Sequence, residues 1–419
     1  VTLPSSPEIS SMPRPGLNPS WIVVAAGVSA SLHVGKLPPA VPVLQQELGI
    51  SLVQAGFLLS TVQVAGMALG LVVGLGADKW GLRRSMLTGL ALMALSSLVG
   101  AAATGFAWLL ALRVLEGLGF LLVAMPAPGL IRRNVNAAEL SGRMGWWGSY
   151  MPIGSAIGLL LGPWVLQATS WQAWWIALGC SSLLAFIAVW RMVPADAARI
   201  SASATPAVAD SGSNGWRPRL ALTLRSPGPW LVSLAFMLYS GQWMGVVGFL
   251  PTMYAQAGLS AKLAGMLTAV VAAANMVGNI ASGKLMQRGW SPRRCLQIGY
   301  VAMGLCALLA YVQFGDQPLA PLWLRFVAVV LFSAAGGLIP ATLFTSAMHL
   351  APSPGTVSTT VGFMQQWSCV GQFAGPPLVA AVATAMGGWQ FTWLVTGSMC
   401  AGGWLLALGI DRCWHRLQR

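Results

Sequence analysis

Two pairs of residues stand out by type and spacing. Arg113-Val-Leu-Glu116 sets a guanidinium and a carboxylate three residues apart in an apolar stretch, so on a helix they share a face and can pair. His33-Val-Gly-Lys36 sets an imidazole and an ammonium one turn apart in another. A carboxylate or an imidazole can carry a proton, the imidazole near neutral pH, and a Lys or Arg can hold an anion. Plainer readings stand beside these: His33 as a neutral ring bonded to a neighbouring helix, and Arg113 as a side chain snorkelling to an interface. Lys36 needs a partner, a wet cavity or an anionic substrate, because a charge facing lipid is costly.

Other polar residues sit in similar surroundings. Arg325 is a third embedded cation, nearer the edge of its run, where snorkelling is again the plainer reading. Gln242, in Tyr239-Ser-Gly-Gln242-Trp243, and Gln365 beside Gln366 are candidate substrate contacts, as are Gln63, Tyr150 and Asn275 with Asn279. Bonding to another helix is the commoner fate of such amides. The tryptophans of Trp146-Trp147 and Trp171 to Trp175 read mostly as an interfacial belt. Lys36, Arg113 and Arg325 face Glu116 alone, and that surplus favours an anionic solute.

The elements that carry these residues follow from composition. Of 419 residues only 8% are charged and 56% are hydrophobic, with mean hydropathy +0.71, which excludes a water-soluble enzyme. Apolar runs long enough to span a bilayer cover about 21–41, 52–76, 86–104, 107–130, 144–166, 173–193, 229–251, 263–283, 294–314, 320–347, 357–386 and 390–410. The runs are continuous and Gly-rich rather than alternating, so they are helices and not barrel strands. The expected fold is an all-α membrane protein of twelve transmembrane helices in two pseudo-symmetric six-helix bundles. With an even count both termini share a side. Nineteen of the 23 Lys and Arg fall on that side, which marks it as cytoplasmic. The net charge of +14 is thereby explained without nucleic acid.

Several function classes drop out. No Gly-x-x-x-x-Gly-Lys-Ser/Thr loop is present for an ATP-driven pump. Three scattered histidines and six cysteines without Cys-x-x-Cys spacing predict no metal, no cofactor and no disulfide. The expected organisation is a disordered cytoplasmic tail at 1–20 without a cleaved signal, a six-helix bundle at 21–193, a polar cytoplasmic linker at 194–228, a second bundle at 229–410 and a tail at 411–419. The expected partners are a small-molecule substrate, a coupling proton and the lipid bilayer around a monomer.

The two halves repeat. At an offset of 209, Gly49 with Ser51 meets Gly258 with Ser260, Lys79 meets Arg288, Arg84 meets Arg293, and His33 falls on Gln242. At 212, Arg113 meets Arg325; at 213, Gly158-x-x-x-Gly162-Pro163 falls on Gly371-x-x-x-Gly375-Pro376; at 218, Trp171-Gln172 falls on Trp389-Gln390. Two parallel six-helix repeats with a site between them suit a rocking secondary transporter.

On these residues the chain resembles the major facilitator superfamily over its whole length. The loop Gly74-Leu-Gly-Ala-Asp78-Lys79-Trp-Gly81-Leu-Arg83-Arg84 is similar to the family's signature. The resemblance implies that Asp78, Lys79, Arg83 and Arg84 form a conformational gate that holds the outward-open state and releases on rocking. Gln287 stands where the second copy would have its acid. The resemblance also implies that Arg113 faces a central cavity and takes part in substrate or proton coupling. The span-five glycines resemble a pattern of exporters, but Trp164 and Val165 replace its next glycines. Met125-Pro126-Ala-Pro128-Gly-Leu-Ile131-Arg132-Arg133 resembles the cyanate-permease branch. The function expected is proton-coupled transport of a small anion across a bacterial inner membrane. Substrate would be held by Lys36, Arg113, His33, Gln242, Gln365 and Arg325, and the proton by Glu116 with Arg113. The alternative is a proton-coupled antiporter exporting drugs or metabolites.

Overall fold

The computed structural model describes residues 18–70, 81–136, 139, 143, 146–196, 216–314, 317–353 and 356–417. Among them, twelve helices are long and apolar enough to cross a membrane. Spans 1 to 6 are Pro19–Leu48, Leu52–Gly70, Leu82–Gly100, Phe106–Asn134, Tyr150–Ala168 and Trp171–Met192. Spans 7 to 12 are Pro227–Gln256, Ala261–Met286, Pro292–Tyr311, Leu322–His349, Thr359–Ala385 and Trp389–Arg416. A two-residue hairpin, Gln313–Phe314 with Gln317–Pro318, sits between spans 9 and 10.

The same local chemistry starts and stops matching helices in the two halves. Gly49 at φ 63° ends span 1, and Ser51 caps span 2, accepting from Gln54 N–H while Gln54 returns the bond. In the second half Gly258 at φ 84° follows span 7, and Ser260 accepts from Leu263 N–H at the start of span 8. Only glycine adopts these left-handed angles readily, and a Ser oxygen satisfies an otherwise orphaned N–H.

Within each half the first span packs on the fifth through small residues. Ser31 Oγ donates to Val28 O and Tyr150 O at 2.9 and 2.8 Å; Ser240 Oγ donates to Met237 O and Ser368 O at 3.3 and 2.9 Å. The first partners are 209 residues apart, but Tyr150 and Ser368 differ by 218. Gly154 meets Val28 and Ser31 as Gly371 meets Met237 and Ser240. The spatial counterpart of Gly371 is therefore Gly154, one helical turn before the Gly158 that the 213-residue alignment gives it.

The halves meet along two seams. Span 2 lies on span 11, with Gly56 against the backbone of Pro376 and Pro377 and Gly66 against Cys369 Sγ. Span 5 lies on span 8, with Gly265 against Leu159 and Pro163, and Lys262 Nζ 4.2 Å above the Trp164 ring. Phe249, Val379, Ala380 and Val395 of the second half share one apolar core with Leu37, Ala40 and Leu58 of the first.

Candidate functional site

Span 1 breaks where its lysine sits. Pro38 and Pro39 have no N–H, so the carbonyls of Val34 and Gly35 lose their helix partners. One helix ends at Gly35, another starts at Leu37, and Lys36 is the turn between them. Two donors from other spans bind the carbonyls that flank this break. Trp174 Nε1 donates to Lys36 O at 3.2 Å, and Arg113 Nη1 to His33 O at 2.9 Å.

The Lys36 ammonium donates to Glu116 Oε1, and Arg113 Nη1 donates to Glu116 Oε2 at 2.5 Å. His33 Nδ1 lies 3.4 Å from Glu116 Oε1, and its Nε2 lies 2.8 Å from Ser182 Oγ. An ionised carboxylate only accepts, so a neutral ring carries its hydrogen on Nδ1 and accepts from Ser182. Lys36 also donates to Ser97 Oγ at 3.2 Å and stands 4.5 Å over the Trp175 ring. His33, Lys36, Arg113 and Glu116 are each at most 2% exposed. Two cationic side chains thus share one carboxylate, away from lipid and water, and Arg113 Nη2 is buried with no partner among the described residues. The partners come from spans 1, 3, 4 and 6, all in the first half, with Leu58 O of span 2 accepting from Arg113 Nε at 3.3 Å.

Four of the predicted residues are thus brought together and three others are not. Gln242 is fully buried in the second half, where Cys400 Sγ donates to its Oε1 at 3.1 Å and its Nε2 has no partner among the described residues. Cys400 lies 218 residues after Ser182, so Gln242 with Cys400 is the repeat image of His33 with Ser182. Arg325 is half-buried and donates from Nε to Ala310 O at 2.7 Å, with no contact to the cluster. Gln365 is exposed on span 11. Its neighbour Gln366 crosses to span 2, donating to Met67 O at 2.6 Å. The other predicted amides bond helices together. Asn275 donates to Tyr239 Oη and Ser333 O, both at 2.9 Å, and receives Asn279.

Asp78 and Lys79 lie outside the described residues. Arg83 and Arg84 meet Asp196, an acid within the stretch expected to be linker. The Asp196 carboxylate accepts from the N–H of Arg83 at 3.1 Å and of Arg84 at 3.2 Å, and pairs with Arg133 at 3.5 Å. Arg83 also donates to Trp190 O. The N-cap of this helix is Gly81, which has no side chain to offer, so Asp196 supplies the cap from beyond span 6. Gly81 is at φ 100°, and a Cβ there would stand 2.5 Å from Asp196 Oδ2, so both backbone and space require glycine. Asp196→Ala is expected to cost about 0.5–2 kcal/mol, the usual loss for a helix cap, read as a lower Tm of the detergent-purified protein. An unchanged Tm would remove Asp196 from this role.

Sequence reasoning missed Ser97, Ser182, Asp196 and the burial of four tryptophans, three of them in span 6. Trp171, Trp174 and Trp175 are 1–3% exposed rather than interfacial. Trp171 Nε1 donates to Glu47 Oε2 at 2.8 Å, Trp174 binds Lys36 O, and Trp175 lies under the Lys36 ammonium. The one available signal was their spacing, since three polar-tipped rings on one side of a helix can serve a buried charge as well as a headgroup layer. Trp146 is exposed, as the belt reading expects, but its neighbour Trp147 is buried and stacks on Tyr150, with ring centroids 4.1 Å apart.

Two six-helix halves, the first holding a buried charge cluster, are the architecture of a secondary membrane transporter. The model of the Major Facilitator Superfamily matches residues 232–412. The chain is 30% identical over 408 residues to the chloramphenicol resistance protein of Streptomyces lividans, covering 95% of both. It is 25% identical over 357 residues to the cyanate transport protein CynX of Escherichia coli K12, covering 82% of this chain and 84% of that protein. A solved structure of a bacterial homolog of the human lysosomal transporter Spinster, inward-facing and unoccupied, shares the fold. Its TM-score is 0.79 over 97% of this chain and 99% of that one, at 16% identity. The chain belongs to the major facilitator superfamily and is an integral, multi-pass membrane transporter.

Proposed function

We propose that the protein carries a small anionic solute together with a proton, by alternating access, across a bacterial inner membrane, with its basic end and both termini in the cytoplasm. The observation that carries this reading is the single carboxylate of Glu116 shared by Lys36 and Arg113 in a buried site. A proton on Glu116 leaves two cations unbalanced, and an anion offsets them. By linkage, a bound anion makes the proton easier to hold. Uptake of the two is therefore mutually favourable, which is the thermodynamic content of symport. Arg113 Nη2, buried without an acceptor among the described residues, is the donor left to meet the anion. His33, against Glu116 on one side and Ser182 on the other, is placed to pass the proton. Gln242 and Arg325 lie apart from this cluster, so the anion site rests on Lys36 and Arg113. The name of the Escherichia coli relative specifies an anion of this class.

The test is uptake of labelled cyanate, nitrite and short carboxylates into proteoliposomes under an imposed inward proton gradient. Uptake is expected for at least one anion, and it is expected to vanish when the gradient is collapsed or Arg113 is replaced by Ala. A second reading, proton-driven export of drugs or metabolites, is favoured by the Streptomyces lividans relative, whose name specifies chloramphenicol resistance. No anion uptake, together with proton-driven extrusion of chloramphenicol, would assign the protein to that reading.

A further inference from the structure

Span 2 is not one continuous α-helix. Its α-helical turns end at Ser60, Thr61–Gln63 wind as a tighter 3₁₀ turn, and the helix resumes at residue 64. The cause is local. The hydroxyls of Ser60 and Thr61 both bond back to Phe57 O, at 3.2 and 2.5 Å, a pattern that bends helices. Tight turns inside a helix often mark hinges.

This turn touches both parts of the mechanism. On one side Arg113 Nε donates to Leu58 O, just before the turn, at 3.3 Å. Span 4 presses on it so closely at Gly117 that a Cβ there would stand 2.2 Å from Val62 O. On the other side Gln63 Nε2 donates across the seam to Gln372 Oε1 at 3.0 Å, and Gln372 Nε2 passes on to Ser368 Oγ at 3.2 Å. Gln63 is 3% exposed, so solvent offers its amide little replacement.

We propose that the turn Thr61–Gln63 couples the charge state of Glu116 to the packing of span 2 on span 11, with Gln63 as the positioning residue. The inference rests on the reading that Glu116 gains and loses a proton. Arg113 holds three acceptors: Glu116 Oε2, His33 O and Leu58 O. The bond to the charged carboxylate is the strongest of these. When Glu116 is neutral, the guanidinium leans on the two carbonyls, each of which lies just before a break in its own span. A pull on Leu58 O acts on the turn that aims Gln63 at Gln372. The charged or titratable groups facing Glu116 are Lys36 and His33 from span 1 and Arg113 from its own span. Spans 3 and 6 bring the hydroxyls of Ser97 and Ser182 to Lys36 and His33.

A native thiol reports on this seam. Cys369 of span 11 is partly exposed, and its Sγ faces Gly66, where a Cβ would stand 2.6 Å away. The experiment is the rate of Cys369 alkylation by N-ethylmaleimide in the full chain, read by peptide mass, with no substrate present. Glu116→Gln is expected to change that rate several-fold. The change is expected to disappear when Gln63→Met is added, since Met fills the space without the amide. Gln372→Met removes the same bond from the other half and carries the same test if Gln63→Met does not fold. A rate that ignores Glu116→Gln, or that shifts equally with and without the amide pair, overturns the proposal. The transport reading fails separately. A response that runs through Gln63 in a protein that takes up no anion leaves the coupling standing and removes the anion; anion uptake with a Cys369 rate blind to Gln63 removes the coupling alone.

Discussion

Replacing Glu116 by Gln is expected to abolish accumulation of the anion against its gradient while sparing exchange of the same anion between the two sides of a vesicle. Exchange needs the site to bind and the halves to rock, whereas accumulation needs a proton to ride with the anion, and Gln cannot take one up and release it. The variant also carries a folding cost. Glu116 is the carboxylate that both Lys36 and Arg113 hold. Removing one member of a buried ion pair typically costs about 3–5 kcal/mol, because it leaves the other charge uncompensated. Here two cations are left, so the loss of Tm is expected to be large. Lys36→Met sets the contrast, since it leaves Arg113 and Glu116 balanced one to one. It should therefore destabilise less than Glu116→Gln. Paired measurements of counterflow, gradient-driven uptake and thermal unfolding separate the two effects. Accumulation that survives in a folded Glu116→Gln protein removes Glu116 from proton coupling.

The pairing of Arg113 with Glu116 was legible because a three-residue spacing on a helix is a local fact. So was the shared face of His33 and Lys36. That these two pairs would form one cluster was not, since it depends on which span packs beside span 1, and sequence spacing says nothing about neighbours 80 residues away. The same limit hid Ser97 and Ser182, ordinary small residues in apolar runs, and Asp196, whose role appears only when the end of span 6 reaches the start of span 3. The twelve spans were plain from hydropathy, because a bilayer imposes a length on every one of them. Register within the repeat was harder. Gly154, Gly158 and Gly162 recur every four residues, so two alignments on Gly371 and Gly375 are available. Pro163 and Pro376 made the wrong one attractive. The contacts with Ser31 and Ser240 choose the other.

That register gives the second large expectation. Gly154→Ala and Gly371→Ala should each lower the Tm and impair transport, and to similar extents, because they fill equivalent seams between the first and fifth spans of their halves. A Cβ at 154 would stand 1.9 Å from Ser31 Oγ and 2.5 Å from Val28 O. A Cβ at 371 would stand 2.1 Å from Met237 O and 2.8 Å from Ser240 Oγ. The hydroxyls could rotate, at the loss of their bonds to Tyr150 O and Ser368 O. The carbonyls are backbone and can yield only if a helix shifts. Overpacking of this kind costs about 1–3 kcal/mol. It has to exceed the gain from replacing a helical Gly by Ala, about 1 kcal/mol in a helix interior. Gly283 and Gly397 isolate that gain, for nothing among the described residues lies within 4 Å of a Cβ at either. The same substitution there is expected to hold or raise the Tm. Opposite signs at the crowded and open positions would establish the seam as the cause. A uniform response at all four would show instead that helix propensity dominates and that the span 1 to span 5 contact tolerates a methyl group.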